Sequence, residues 1–172
     1  MIDRKKLLAL AASLAIACIA QAQDAVLTPA ASAFLRRGPA HALAGCDLLL
    51  HRCKDVRLRV AESGNGDAND VATHWEDQTG PGLAVSVAFA LPTKQWPGPP
   101  RPMIDRLRVT ATRWPLLSGL RLGVNQARVL AALGEPTVRV DACWRYVDGQ
   151  DDVLFCFDQE RLKSVEWEFF ID

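Results

Sequence analysis

The stretch that most limits what this chain can become is a hairpin, Cys143-Trp144-Arg145-Tyr146-Val147 on one arm and Val153-Leu154-Phe155-Cys156-Phe157 on the other. With Gly149 and Gln150 as its turn residues, a glycine-first two-residue loop predicts a type II′ turn, whose twist suits the flanking strands. That turn sets the register. Trp144 falls opposite Phe155 and Tyr146 opposite Val153, an apolar face of aromatic and β-branched pairs. Cys143 falls opposite Cys156 on the other face. Counting outward from the turn puts the two cysteines on a non-hydrogen-bonded rung, where Cα atoms approach most closely, and a disulfide is expected there.

The N-terminus has the form of a secretory leader. Arg4, Lys5 and Lys6 precede an uncharged stretch over residues 7–20, and Ala20-Gln21-Ala22 has the small-x-small pattern of a cleavage site, so residues 1–22 are read as a signal peptide and Gln23 as the first mature residue. No later segment is long and apolar enough to read as a membrane span. Membrane attachment is expected only if Cys18 becomes the acylated end of a lipoprotein; Ala15-Ile16-Ala17 lacks the usual leucine, which favours simple cleavage. Cleavage leaves Cys46, Cys53, Cys143 and Cys156. An even count after such a leader predicts a disulfide framework with three connectivities, of which the local pairing, 46 with 53 and 143 with 156, is preferred. The compartment expected is therefore oxidising, the periplasm or outside the cell, with the outer membrane as the alternative if Cys18 is lipidated. The mature chain is slightly acidic, and offers no electrostatic case for nucleic acid.

Along the mature chain, Thr28-Pro29 starts a helix and Gly38 is its expected stop, so residues 30–37 make at most a short helix. Residues 46–60 turn towards strand, with Val56-Arg57-Leu58-Arg59-Val60 alternating, and Ser63-Gly64-Asn65-Gly66-Asp67 is expected to be a turn or loop. Residues 71–75 are expected to form a short strand. After Gly80-Pro81-Gly82, Leu83, Val85, Val87 and Phe89 share one face of a clear strand. Trp96-Pro97-Gly98-Pro99-Pro100-Arg101-Pro102 is expected to be a stiff exposed loop. Met103, Leu107, Val109 and Ala111 alternate with Arg106, Arg108 and Thr110 in a further strand. Asn125 as N-cap, Val124 and Val129 as a staple, Gly134 as C-cap and Pro136 beyond it punctuate a short helix. Residues 138–147, 152–158 and 162–169 then predict a three-stranded meander, with Val165, Trp167 and Phe169 on one face.

The fold class expected is therefore α+β, an antiparallel β-meander packed against a short helix. The order of elements from Trp75 through Val109 faintly repeats it, as two degenerate tandem copies would. The divisions expected are residues 1–22, the leader; 23–45, an N-terminal segment with a short helix; 46–114, a β-rich half; and 115–172, the helix with its meander. The last of these resembles the small outer-membrane-assembly lipoproteins (SmpA/OmlA, BamE-like), whose fold is shared with the β-lactamase-inhibitor protein. The resemblance rests on Gly123-Val124-Asn125, Val129, Leu133-Gly134-Glu135-Pro136, Trp144-Arg145-Tyr146, Leu154-Phe155-Cys156-Phe157-Asp158 and Leu162-Lys163-Ser164-Val165. It implies a non-catalytic periplasmic adaptor or inhibitor that binds protein.

Candidate chemistry is sparse. His41, Cys46, His51 and Cys53 can be written as a zinc set, but a Cys46–Cys53 disulfide is the better account in an oxidising compartment. Asn65, Asp67, Asn69 and Glu76 occupy calcium-loop places, yet Asp70 stands where the loop needs glycine. No G-x-S-x-G occurs; Ser63 is expected to be a turn serine and His74 a structural histidine. With no phosphate-cradling glycine loop and no dinucleotide fingerprint, no cofactor is expected. Arginines crowd the middle and carboxylates the end, which either steers a charged partner or balances as solvated faces. The binding surface singled out is Glu166, Glu168 and Phe170 with Arg106 and Arg108. The leading expectation is an envelope adaptor for a protein partner, without catalytic activity. The rivals are an inhibitor or immunity protein acting on an enzyme, and a metal-dependent hydrolase using the histidines.

Overall fold

The computed structural model describes residues 26–68, 71–94 and 97–170. The leader, its cleavage site, Cys18, Asn69, Asp70 and Trp96 lie outside the described residues. Within them the protein is mostly β with some helix. Helix α1 (Pro29–Ala42) leads into three two-residue strands, β1 (Cys46–Asp47), β2 (Arg52–Cys53) and β3 (Val56–Arg57), which form a small sheet of their own. Strands β4 (Arg59–Ala68), β5 (Val71–Gly80), β6 (Leu83–Ala90) and β7 (Arg101–Val109) follow, then helix α2 (Gln126–Leu133) and strands β8 (Val138–Val140), β9 (Cys143–Asp148), β10 (Asp151–Asp158) and β11 (Arg161–Glu168). These last eight strands make one antiparallel sheet in the order β4-β5-β6-β7-β11-β10-β9-β8. The order reads the same from either edge: each half ends on its last strand, and β7 meets β11 at the seam, Arg106 opposite Glu168 and Val109 opposite Val165.

The hairpin takes the register expected of it, with Trp144 opposite Phe155, Tyr146 opposite Val153 and Cys143 opposite Cys156. Gly149 has φ +68° and Gln150 is not left-handed, which fits the glycine-first turn. The cysteines form a disulfide with Cα atoms 4.1 Å apart. Helix α2 begins and ends as punctuated: the Asn125 side chain accepts from the Arg128 N–H, and the Gly134 N–H donates to the Leu130 carbonyl. On β6, Leu83, Val85, Val87 and Phe89 are all buried, with the intervening residues half-exposed.

Five expectations are corrected. Helix α1 does not stop at Gly38 but continues through Gly38 and Pro39 to Ala42. Gly38 is there for space, since a Cβ on it would lie 2.7 Å from Trp167 Cζ2. Residues 63–67 are not a loop; they belong to the edge strand β4, where Ser63 pairs with Glu76 and Gly64 with Trp75. The Trp75 ring lies where a Gly64 side chain would be, with Cε2 2.7 Å from that Cβ position, and this cross-strand cover stabilises a glycine-rich strand. Strand β5 is correspondingly ten residues long rather than the five expected. Residues 138–147 are two strands, not one, because the chain reverses at Asp141, φ +51°. Arg101 and Pro102 already belong to β7, and proline is tolerated there because β11 joins β7 only from Arg106 onward.

The core lies on one face of the sheet. Phe34 of α1 stacks on Trp167 at 5.4 Å between ring centroids and packs on Phe155 at 5.2 Å. Thr28 caps the start of α1 through the Ala31 N–H and donates its hydroxyl to the Leu133 carbonyl at the end of α2, joining the two helices. The small β1–β3 sheet packs on the same face further along: Leu48, Cys53, Val56 and Leu58 are buried, and Gln78 on β5 donates to the Leu48 carbonyl at 2.8 Å.

Candidate functional site

Since α1 and the small sheet share one face, the other face of the eight strands is left to side chains alone. Strand alternation assigns its floor. Along β6 the floor is Ala84, Ser86 and Ala88, and their partners are Thr79, Asp77 and Trp75 on β5 and Arg108, Arg106 and Met103 on β7. Small residues between taller neighbours leave a groove of about 430 Å³, lined by Gly66, Trp75, Asp77, Ser86, Ala88 and Arg106 among others. The Ser86 hydroxyl donates to Asp77 in its wall. Asp105, at the rim, has its carboxyl pushed above the usual range by burial, against the pull of Arg106 and with Glu168 and Asp77 adding to it.

Next to the groove stand four of the five residues singled out as a binding surface. Arg106 and Arg108 face Glu168 and Glu166 directly across the seam, with Arg106 Nε 3.2 Å from Glu168 and 3.7 Å from Glu166, and Arg108 Nε 3.6 Å from Glu166. The crowded arginines and terminal carboxylates therefore neutralise each other here, and a single-sign steering patch is not what they make. Phe170 follows the last strand and is exposed.

The remaining candidates are dispersed. Cys46 and Cys53 are bonded to each other, so the zinc set has no thiolates, and His41 sits exposed in the last turn of α1. The calcium-loop places are divided between two strands: Asn65 and Asp67 on β4, Glu76 on β5. Among the described residues no group of three His, Cys, Asp or Glu could hold a metal ion. Ser63 is a strand residue rather than a turn serine.

Sequence reasoning missed a polar cluster on the inner face of β5. Glu76 is 9% exposed and accepts from Gln78 at 2.7 Å, while His51 Nε2 lies 2.7 Å and His74 Nε2 3.1 Å from its two oxygens. His74 also meets the Asn65 amide at 3.0 Å and stacks on Phe89, in keeping with a structural role. Burial alone would raise the Glu76 carboxyl, but the hydrogen bonds from Gln78, His51 and His74 outweigh it and hold its pKa below the ordinary carboxylate value. The Gln78 Oε1 atom is buried without a hydrogen-bond partner among the described residues. Polar residues at 74, 76 and 78 share a strand face, but the expected strand ends at Trp75, short of Glu76 and Gln78; residues 46–57 pack over that face. The cluster fastens the small sheet to the large one and brings no nucleophile to either histidine.

Two disulfides favour an oxidising, extracytoplasmic compartment. No helix among the described residues is long and apolar enough to cross a membrane, which leaves β-barrels unaddressed. The chain matches no known protein family, no curated protein and no solved structure.

Proposed function

We propose that this chain is a non-catalytic protein-binding module of the cell envelope, an adaptor whose binding surface is the open face of the eight-stranded sheet. The observation that carries the reading is that face itself. Eight strands about 4.8 Å apart and about eight residues long present roughly 900 Å², close to the ~800 Å² that each partner contributes to an interface of standard size. Trp75 beside a floor of small residues suits a protruding partner side chain, and Trp is the residue type most enriched at interface hot spots. The palindromic strand order and the helix-Gly-x-Pro-meander of residues 125–168 support the finer reading, two degenerate copies of an SmpA/OmlA-like unit sharing one sheet. The two disulfides support export to the periplasm or beyond, with residues 1–22 as the leader.

The test is affinity capture from the native envelope extract with the wild-type protein and with Ala88→Arg, which fills the groove. A stoichiometric partner lost in the variant, with both disulfides and the near-UV spectrum retained, is expected. Capture of nothing, or capture indifferent to Ala88→Arg, removes the open face as the binding surface. A captured hydrolase that loses its activity on binding replaces the adaptor with the inhibitor reading, and elemental analysis showing stoichiometric metal in the purified protein revives the hydrolase.

A further inference from the structure

We infer that the disulfide-closed knob, residues 46–57, docks on a bilayer surface rich in anionic phospholipid. At its tip Leu49 and Leu50 are 42% and 60% exposed. They cannot fold inward, because the Cys46–Cys53 bond closes the hairpin, Gln78 holds the Leu48 carbonyl and Glu76 holds His51. Around the tip Arg52, Lys54, Arg57 and Arg59 are exposed, and none forms an ion pair among the described residues. The knob holds two carboxylates against these cations: Asp55 pairs with Arg113 at 3.2 Å, and Asp47, opposite Arg52 across the small sheet, accepts from the Leu50 N–H at 3.1 Å, so positive charge is in excess. Leu50, Arg52, Lys54 and Arg57 line one open concavity of about 550 Å³, and Arg57 continues into a second of about 490 Å³ with Arg59 and Arg113; Asp55 is the one carboxylate in each.

An apolar tip ringed by cations in excess of carboxylates matches the boundary between headgroup and acyl chain. Leucine side chains enter it, guanidinium forks take phosphate oxygens, and anionic lipid attracts each cation. This departs from the expectation that only acylation of Cys18 would bring the chain to a membrane. It stands apart from the adaptor reading too: the knob sits on the helix-bearing side of the sheet, so a docked molecule leaves the open face to a protein partner.

Vesicle flotation tests it, using protein whose sequenced N-terminus carries neither leader nor acyl group. The vesicles are phosphatidylcholine alone, or the same with about one third phosphatidylglycerol. Binding to the anionic vesicles is expected to be at least about tenfold stronger than to the neutral ones and to weaken in high salt. Leu49→Ser with Leu50→Ser, and separately Arg52→Gln with Lys54→Gln and Arg57→Gln, should each reduce it by about tenfold or more, with both disulfides retained. The proposal is overturned by equal binding to both vesicles, by no binding, by variants that float like the wild type, or by displacement with millimolar inorganic phosphate, which would mark a soluble-anion site. An acidic protein that binds the knob while anionic vesicles do not also overturns it.

Discussion

A methyl group added at Gly38 would meet the Trp167 indole at 2.7 and 2.9 Å, and Trp167 is fully buried with its Nε1–H directed at the Phe34 carbonyl, so the ring has nowhere to retreat. Alanine in a helix interior ordinarily gains up to about 1 kcal/mol over glycine, but overpacking a filled core costs about 1–3 kcal/mol. Gly38→Ala is therefore expected to lower the urea midpoint of unfolding, against the propensity scale. Glu76 makes the second prediction. Its folded pKa lies below the ordinary value, so the unfolded chain binds the proton more tightly. Its contribution is therefore present above the usual carboxylate range of about 4.3 and is lost as the pH falls through the depressed folded value. Glu76→Gln should cost about 1–3 kcal/mol at neutral pH, with the difference from wild type shrinking in denaturation curves taken below about pH 4. Tyr146, whose hydroxyl donates to the Gly134 carbonyl at 2.9 Å, is pushed by burial up to about 12 and stays neutral throughout that range.

Among the elements, the hairpin of β9 and β10 and the small sheet each carry a disulfide across neighbouring strands. On the loop-entropy account, replacing Cys143 and Cys156 by serine should cost about 3 kcal/mol and replacing Cys46 and Cys53 somewhat less. Amide exchange should separate the two, because loss of Cys46–Cys53 is expected to raise exchange in residues 46–57 while the β9–β10 amides keep their protection. The seam between β7 and β11 behaves otherwise. Its ion pairs are half-exposed and 3.2–3.7 Å long, so Arg106→Ala is expected to change stability by less than about 1 kcal/mol, read from the same urea midpoint. The apolar pairs of the seam, Trp167 with Leu107 and Val165 with Val109, hold it, all four being fully buried.

For the molecule as a whole, the division at residue 115 expected from the order of elements is crossed by the sheet and by the core. Helix α1, from the N-terminal segment, covers Phe155 and Trp167 of the second half rather than the strands that follow it in sequence. A fragment of residues 115–172 would keep α2 and the meander but expose those two side chains and the β11 edge. It is expected to lack a cooperative unfolding transition and to bind a hydrophobic dye, while the whole chain unfolds in one transition by fluorescence and circular dichroism alike.

What the sequence determined by itself is what short-range rules govern. The turn residues and the alternation of aromatic and polar residues set the hairpin register and with it the Cys143–Cys156 pair. The asparagine and glycine around α2 set its ends, and the alternation of residues 83–89 set a buried strand face. What the tertiary structure decided lies between residues far apart in the chain: a glycine in α1 kept bare for Trp167, a glycine-rich run drawn into strand β4 by Trp75, and a strand face at His74, Glu76 and Gln78 turned inward by a distant knob. The open face belongs to this second group. The arginines of β7 and the glutamates of β11 look like opposed patches in the sequence, and only the β7–β11 register brings them within ion-pair distance. Local rules act over the few residues of a turn, a cap or a strand, whereas burial is settled by whichever distant surface the chain brings into contact.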